Sequence, residues 1–170
     1  MQHQNYITID GKPLLLVYRV GLFPSIRRTA AIWRELCRKE EIGEIYLAMV
    51  ESFEHAIENV HPSHYGFDAS VEYPPHQISA PIEPPGELSN PNYSGVVNDY
   101  RETVLRYVQK EIPNYMRFRT VMPGWDNTPR RQDHSYIFAY ASPGAYQAWL
   151  EAIIELTLEQ NFGDERIVFI

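Results

Sequence analysis

Five groups suited to gripping a polar ligand arrive together in VMPGWDNTPRR, residues 121–131: Trp125, Asp126, Asn127, Arg130 and Arg131. An indole offers a broad flat apolar surface with one N–H. An acid and an amide next to it add hydrogen-bond acceptors and donors. Guanidiniums bind carboxylates and phosphates through paired N–H groups. A strand ending in Pro123 and Gly124 needs none of this, because Pro and Gly already break the pairing. The block therefore reads as recognition chemistry, with packing of Trp125 over a sheet end as the plainer alternative. Arg131 reads as the solvent-facing member of the arginine pair.

Three acids, Glu51, Glu72 and Asp126, follow apolar runs and are the candidates for carboxylate chemistry. The histidines point elsewhere. His55, His61, His64 and His76 fall in one region, but HPSHYG is punctuated by Pro and Gly, and no Cys or acid completes a fixed ligand set. Loop hydrogen bonding is their simpler role, and neither metal nor cofactor is expected.

These residues need elements to position them. PLLLVYR (13–19) is a continuous apolar run, the pattern of a strand buried on both faces. Pro24 and Ser25 open a helix whose apolar face is Ile26, Ala30, Trp33 and Cys37, with Gly43 as its stop. EIYLAMVE (44–51) is a second buried strand, and GFDASVEY (66–73) holds a short third one around Ala69 to Val71. Asp99 opens a helix, with Glu102 three residues on as in a capping box and a stripe of Tyr100, Val104 and Val108. RFRTVM (117–122) is the fourth strand. Ser142 and Pro143 start the last helix, lined by Tyr146, Trp149, Ile153 and Leu156 and ended by Gly163. RIVFI (166–170) is a fifth buried strand.

Strand–helix alternation with apolar strands predicts an α/β protein with a parallel sheet. In such folds working residues stand at the carboxyl ends of strands. Those positions are Arg19, Glu51, then Glu72, Tyr73 and His76, then Trp125, Asp126 and Asn127. With five strands, the chain reads either as a five-stranded doubly wound domain or as part of something larger. Residues 74–96 hold much of the proline and read as one long loop, either a lid or a flexible insertion.

Composition narrows the partners. The chain has 170 residues and 44% hydrophobic content, enough for one domain, residues 1–170, with a core. A formal charge of -7 leaves no basic surplus for phosphate backbones, which argues against nucleic acid. The lone Cys37 excludes an internal disulfide. No secretory h-region or spanning run is visible, so a cytoplasmic location without a membrane span is the expectation.

NYITIDGKPLLLVYR, GFDASVEYPPH and above all VMPGWDNTPRR resemble the WbsX-type glycosyltransferase domain, which is in turn similar to glycoside hydrolase family 99, the endo-α-mannosidase-like barrels. The resemblance runs over essentially the whole chain. It implies a segment of a (β/α)8 TIM barrel with about five parallel strands, acting on bacterial surface polysaccharide such as O-antigen or lipopolysaccharide. It also implies that the catalytic glutamate pair lies beyond Ile170 and that early barrel strands precede Met1. Arg19 stands where the hydrolases commonly have an Asp, which is closer to the WbsX type.

On this resemblance Arg19, Glu51, Glu72, Tyr73, His76, Trp125, Asp126, Asn127 and Arg130 are expected to contact a glycan or sugar-nucleotide substrate. Glu51, Glu72 and Asp126 would bond sugar hydroxyls rather than attack carbon. Glu72 has a second role open to it, an ion pair with Arg19 or Arg130. The alternative function is a non-catalytic carbohydrate-binding or assembly module. Unpaired edges at LLLVY and RIVFI would favour self-association.

Overall fold

The computed structural model describes residues 1, 3–52, 60–76, 78–159 and 167–170. The chain is mixed α/β with mostly parallel strands, and it divides into two compact units. Among the described residues no helix is long and apolar enough to cross a membrane.

The first unit holds Met1–Tyr73 and Ile112–Arg119. Its strands are β1 (Thr8–Ile9), β2 (Lys12–Val17), β3 (Tyr46–Val50), β4 (Ala69–Val71) and β7 (Arg117–Thr120), adjacent in that order. Strands β2, β3, β4 and β7 pair in parallel, with Leu14 level with Tyr46, Val50 with Val71, and Val71 with Phe118. The β1–β2 pair is an antiparallel hairpin that the apolar pattern did not announce. Its turn is Asp10-Gly11, both at positive φ (49° and 71°), the conformation a two-residue hairpin requires.

Helix α1 (Ile26–Lys39) lays Ile26, Ala30, Trp33 and Cys37 on the sheet, the face its spacing predicted. They meet Val17, Ile45, Leu47, Met49 and Phe67 in one core. Arg34 of α1 fastens the amino-terminal edge of the sheet. It donates to the Ile45 and Gly66 carbonyls and pairs with Asp68 at 2.8 Å, while Asp68 accepts the Leu47 N–H. One expectation needs correction. The run 13–19 is not buried on both faces: Leu16 and Tyr18 are 41% and 45% exposed, because one face of β2 has little packed on it.

The second unit holds Pro74–Glu111, Thr120–Glu159 and Val168–Ile170. It contains β5 (Pro81–Ile82), β6 (Val96–Asp99) and β8 (Tyr136–Ala139), with β6 central, antiparallel to β5 and parallel to β8. Residues 74–96 are therefore not all loop. They carry β5 and the first residue of β6, and their later part is tied down by the Asn90 amide donating to Asp133 and the Ser94 N–H donating to the Asp133 carbonyl. Helix α2 (Tyr100–Val108) is capped by Asp99, whose carboxylate accepts the Arg101 and Glu102 N–H groups. The Glu102 side chain turns to Arg106 at 2.9 Å.

Helix α4 (Pro143–Glu159) starts where Ser142 Oγ accepts the Ala145 N–H. Tyr100, Tyr107, Phe138, Trp149 and Ile153 form this unit's core. Strand β9 (Val168–Phe169) is half-buried rather than buried, with Phe169 accepting the Val121 N–H at 3.0 Å. Helix α3 (Thr128–Arg131) is a single turn in the Trp125 block. The expected helix stop at Gly163, Arg166 of the fifth strand and His55 lie outside the described residues.

Candidate functional site

In the first unit, Arg19, Glu51, Glu72 and Tyr73 all follow the carboxyl ends of parallel strands, so they share one sheet edge. The ladder continues one step past the ends of β3 and β4: the Glu51 N–H donates to the Val71 carbonyl and the Glu72 N–H to the Phe118 carbonyl. Register then sets Glu51, Glu72 and Arg119 side by side, with Ser70 and Arg117 two residues earlier on the same face.

The charges on this face answer one another. Glu51 accepts from Arg117 Nε at 2.7 Å and from the Ser70 hydroxyl at 2.8 Å. Glu72 accepts from Arg119 Nε at 2.9 Å. The expectation was an ion pair of Glu72 with Arg19 or Arg130; the structure pairs it with Arg119, a guanidinium projecting from the neighbouring strand. Both glutamates lie beneath the surface, Glu51 at 1% and Glu72 at 0% exposure. The Tyr115 phenol, in reach of Arg117, is pushed above its ordinary pKa by burial first and by the Glu51 charge second.

Arg19 and Tyr73 differ in kind, because both are exposed. The Tyr73 ring meets Tyr18 at 5.2 Å between centroids, tilted by 58°. Tyr18 was missed in the sequence because it closes an apolar run and reads as one more buried strand residue. The available signal was its place as the first residue after β2.

In the second unit the Trp125 block is built from its own polar groups. The Trp125 carbonyl accepts the Phe138 N–H at 2.9 Å, and Asp126 bridges antiparallel to Ile137. The Asn127 side-chain oxygen accepts the Tyr136 N–H at 2.7 Å, and its carbonyl accepts the Arg130 and Arg131 N–H groups that form α3. Asp126 Oδ1 accepts the Thr128 N–H at 2.8 Å, and the Thr128 hydroxyl and N–H together hold its carboxyl below the usual carboxylate range. Stitched onto β8 in this way, the block keeps Trp125 39% exposed, with Arg130 on the outside of the turn.

His76 is half-buried. Its carbonyl accepts the Tyr107 hydroxyl at 2.6 Å, and burial lowers its imidazole below the ordinary histidine range. His61 uses Nδ1 on the Ser63 N–H and hydroxyl and packs edge-on against Tyr115. Among the described residues no group of three or more His, Cys, Asp or Glu could hold a metal ion.

No solved structure gives a significant match to the chain. Among curated proteins it is similar to the uncharacterized protein WxcX of Xanthomonas campestris pv. campestris, in strains B100 and ATCC 33913, at 40% identity over 171 residues. All of this chain and 24% of each relative are covered, so the chain spans about a quarter of the length of the curated relatives it matches. The family model described as Glycosyltransferase WbsX matches residues 1–170. By that match, the chain belongs to the WbsX glycosyltransferase family.

Proposed function

We propose that this chain supplies the sugar-recognising surface of a glycan-active protein, with a glycan or sugar nucleotide of bacterial surface polysaccharide as the substrate and Trp125 as its stacking face. The observation that carries this reading is the construction of the Trp125 block. Asp126 and Asn127 each use a side-chain oxygen to fix the loop, and the indole it carries is 39% exposed. A ring carried on a fixed loop leaves less backbone to order when a ligand lands on it, so more of the contact area goes into affinity. Arg130 adds a donor fork for a phosphate or acidic sugar at the edge.

Glu51 and Glu72 take a positioning role in this reading. Glycoside hydrolysis generally uses two carboxyl groups flanking the bond, whereas these two are buried against Arg117 and Arg119. They order the carboxyl ends of β3, β4 and β7, where Tyr73 stands, next to the end of β2 that carries Arg19. The parallel order β2–β3–β4–β7 supports the further proposal that these strands are part of a (β/α) barrel, the architecture that puts substrate at this edge. The same burial favours a second reading, a carbohydrate-binding module with no catalysis of its own.

Calorimetric titration of the chain with oligosaccharides and with a sugar nucleotide, alongside an assay for sugar release, tests both. Binding of either ligand supports the recognising surface, and release of the nucleotide or of a sugar in addition puts catalysis in this chain. Binding without release is what both the module and a recognising part of a longer enzyme give. The proposal fails if neither class of ligand binds.

A further inference from the structure

We propose that Tyr18 and Tyr73 form a second sugar-binding surface that takes the apolar face of a pyranose; the inference rests on the carbohydrate reading above. Tyr18 directly follows β2, and Tyr73 follows Glu72 at the end of β4, with β3 running between them. Adjacent strands lie about 4.8 Å apart, so these two backbones are separated by about 10 Å. The ring centroids are nevertheless 5.2 Å apart. The two side chains therefore lean toward each other across the end of β3, where Glu51 and Ser52 are buried at 1% and 2% exposure.

The rings themselves are not buried. Tyr18 is 45% exposed and Tyr73 39%, whereas Tyr46 and Phe118, another ring pair of this unit, are 8% and 1% exposed. Two phenols in contact, both more than a third open, make an apolar surface with hydroxyls at its rim. A pyranose has the matching character, C–H groups on one face and hydroxyls around its edge, and aromatic surfaces with a polar tip suit ligands of that kind. Beside Tyr18 an open groove of about 480 Å³ continues past Arg19, Leu22 and Phe23, which leaves room for a substituent on the stacked ring.

The test is saturation-transfer difference NMR on the full chain, titrated with methyl β-D-glucopyranoside and methyl α-D-mannopyranoside. The ring C–H protons of at least one probe should receive saturation. Tyr18→Ala and Tyr73→Ala should each weaken the apparent Kd about tenfold, the scale of one aromatic contact, while Tyr18→Phe and Tyr73→Phe should hold it near wild type. Should the alanine variants unfold, Tyr18→Leu and Tyr73→Leu, which keep an apolar side chain without a ring, are read instead with the same expectation. A signal that survives Trp125→Ala and is lost in the double tyrosine variant supports this site. A signal lost with Trp125→Ala and unchanged in the double tyrosine variant overturns it while leaving the Trp125 reading standing. No saturation transfer to either probe in the wild type also overturns it, and the titrations with oligosaccharides and sugar nucleotide then decide the Trp125 reading separately.

Discussion

Glu72 and Arg119 lie 2.9 Å apart, carboxylate oxygen to Nε, with side chains 0% and 1% exposed. The two charges are forty-seven residues apart in sequence and meet only because β4 and β7 pair in parallel one residue before each of them.

Breaking that pair from one side should be costly. Arg119→Met or Glu72→Leu alone removes one charge and leaves the other buried, and such single removals typically cost about 3–5 kcal/mol. Glu72→Leu combined with Arg119→Met should cost much less, since an apolar replacement of both partners spares their desolvation. Denaturant melts of the two single variants and the double variant check this. Additive effects would mean that the pair is not coupled.

Stability should also fall in alkali. Burial pushes both the Tyr46 and the Tyr100 phenol up to about 12, Tyr46 aided by the Asp68 charge and Tyr100 by Tyr146. A folded-state pKa above the unfolded value of about 10 favours the neutral form in the fold. The contribution is therefore full below pH ~10 and is lost as pH rises to ~12. Thermal midpoints measured across pH 9–12 should drop over that window, and Tyr46→Phe should flatten the drop.

Gly95 is fixed by space rather than by backbone angle. A Cβ there would run into the Ser135 carbonyl oxygen and the Tyr93 ring, where β6 and β8 come together. Gly95→Ala should destabilise the second unit by about 1–3 kcal/mol, the usual scale of overpacking. Gly86→Ala, which meets nothing within 4 Å, serves as the control and should be near neutral.

Much of this architecture could be read from local pattern. Helix α1 showed its face through Ile26, Ala30, Trp33 and Cys37, α4 its start through Ser142 and Pro143, and β4 its position through Ala69 to Val71. Strands β5, β6 and β8 were not visible. They are two to four residues long, and β5 lies within a proline-rich stretch that carries turn signals throughout. The site was half legible for a similar reason. Strand ends located Glu51, Glu72 and Tyr73, but their partners Arg117, Arg119 and Tyr18 depend on pairing between distant strands. The alternation in RFRT, two arginines flanking Phe118, was the one trace of those ion pairs in the sequence.

Trp125 and Trp149 give the most direct measurement of the central claim, that an exposed indole on a stitched loop recognises sugar. Trp149 is 0% exposed among Tyr100, Tyr107 and Phe138, so Trp149→Ala should cost about 3–5 kcal/mol in a denaturant melt. Trp125→Ala should cost far less and should weaken oligosaccharide binding about tenfold by calorimetric titration. The account is contradicted if Trp125→Ala destabilises as much as Trp149→Ala while its sugar affinity equals that of the wild type.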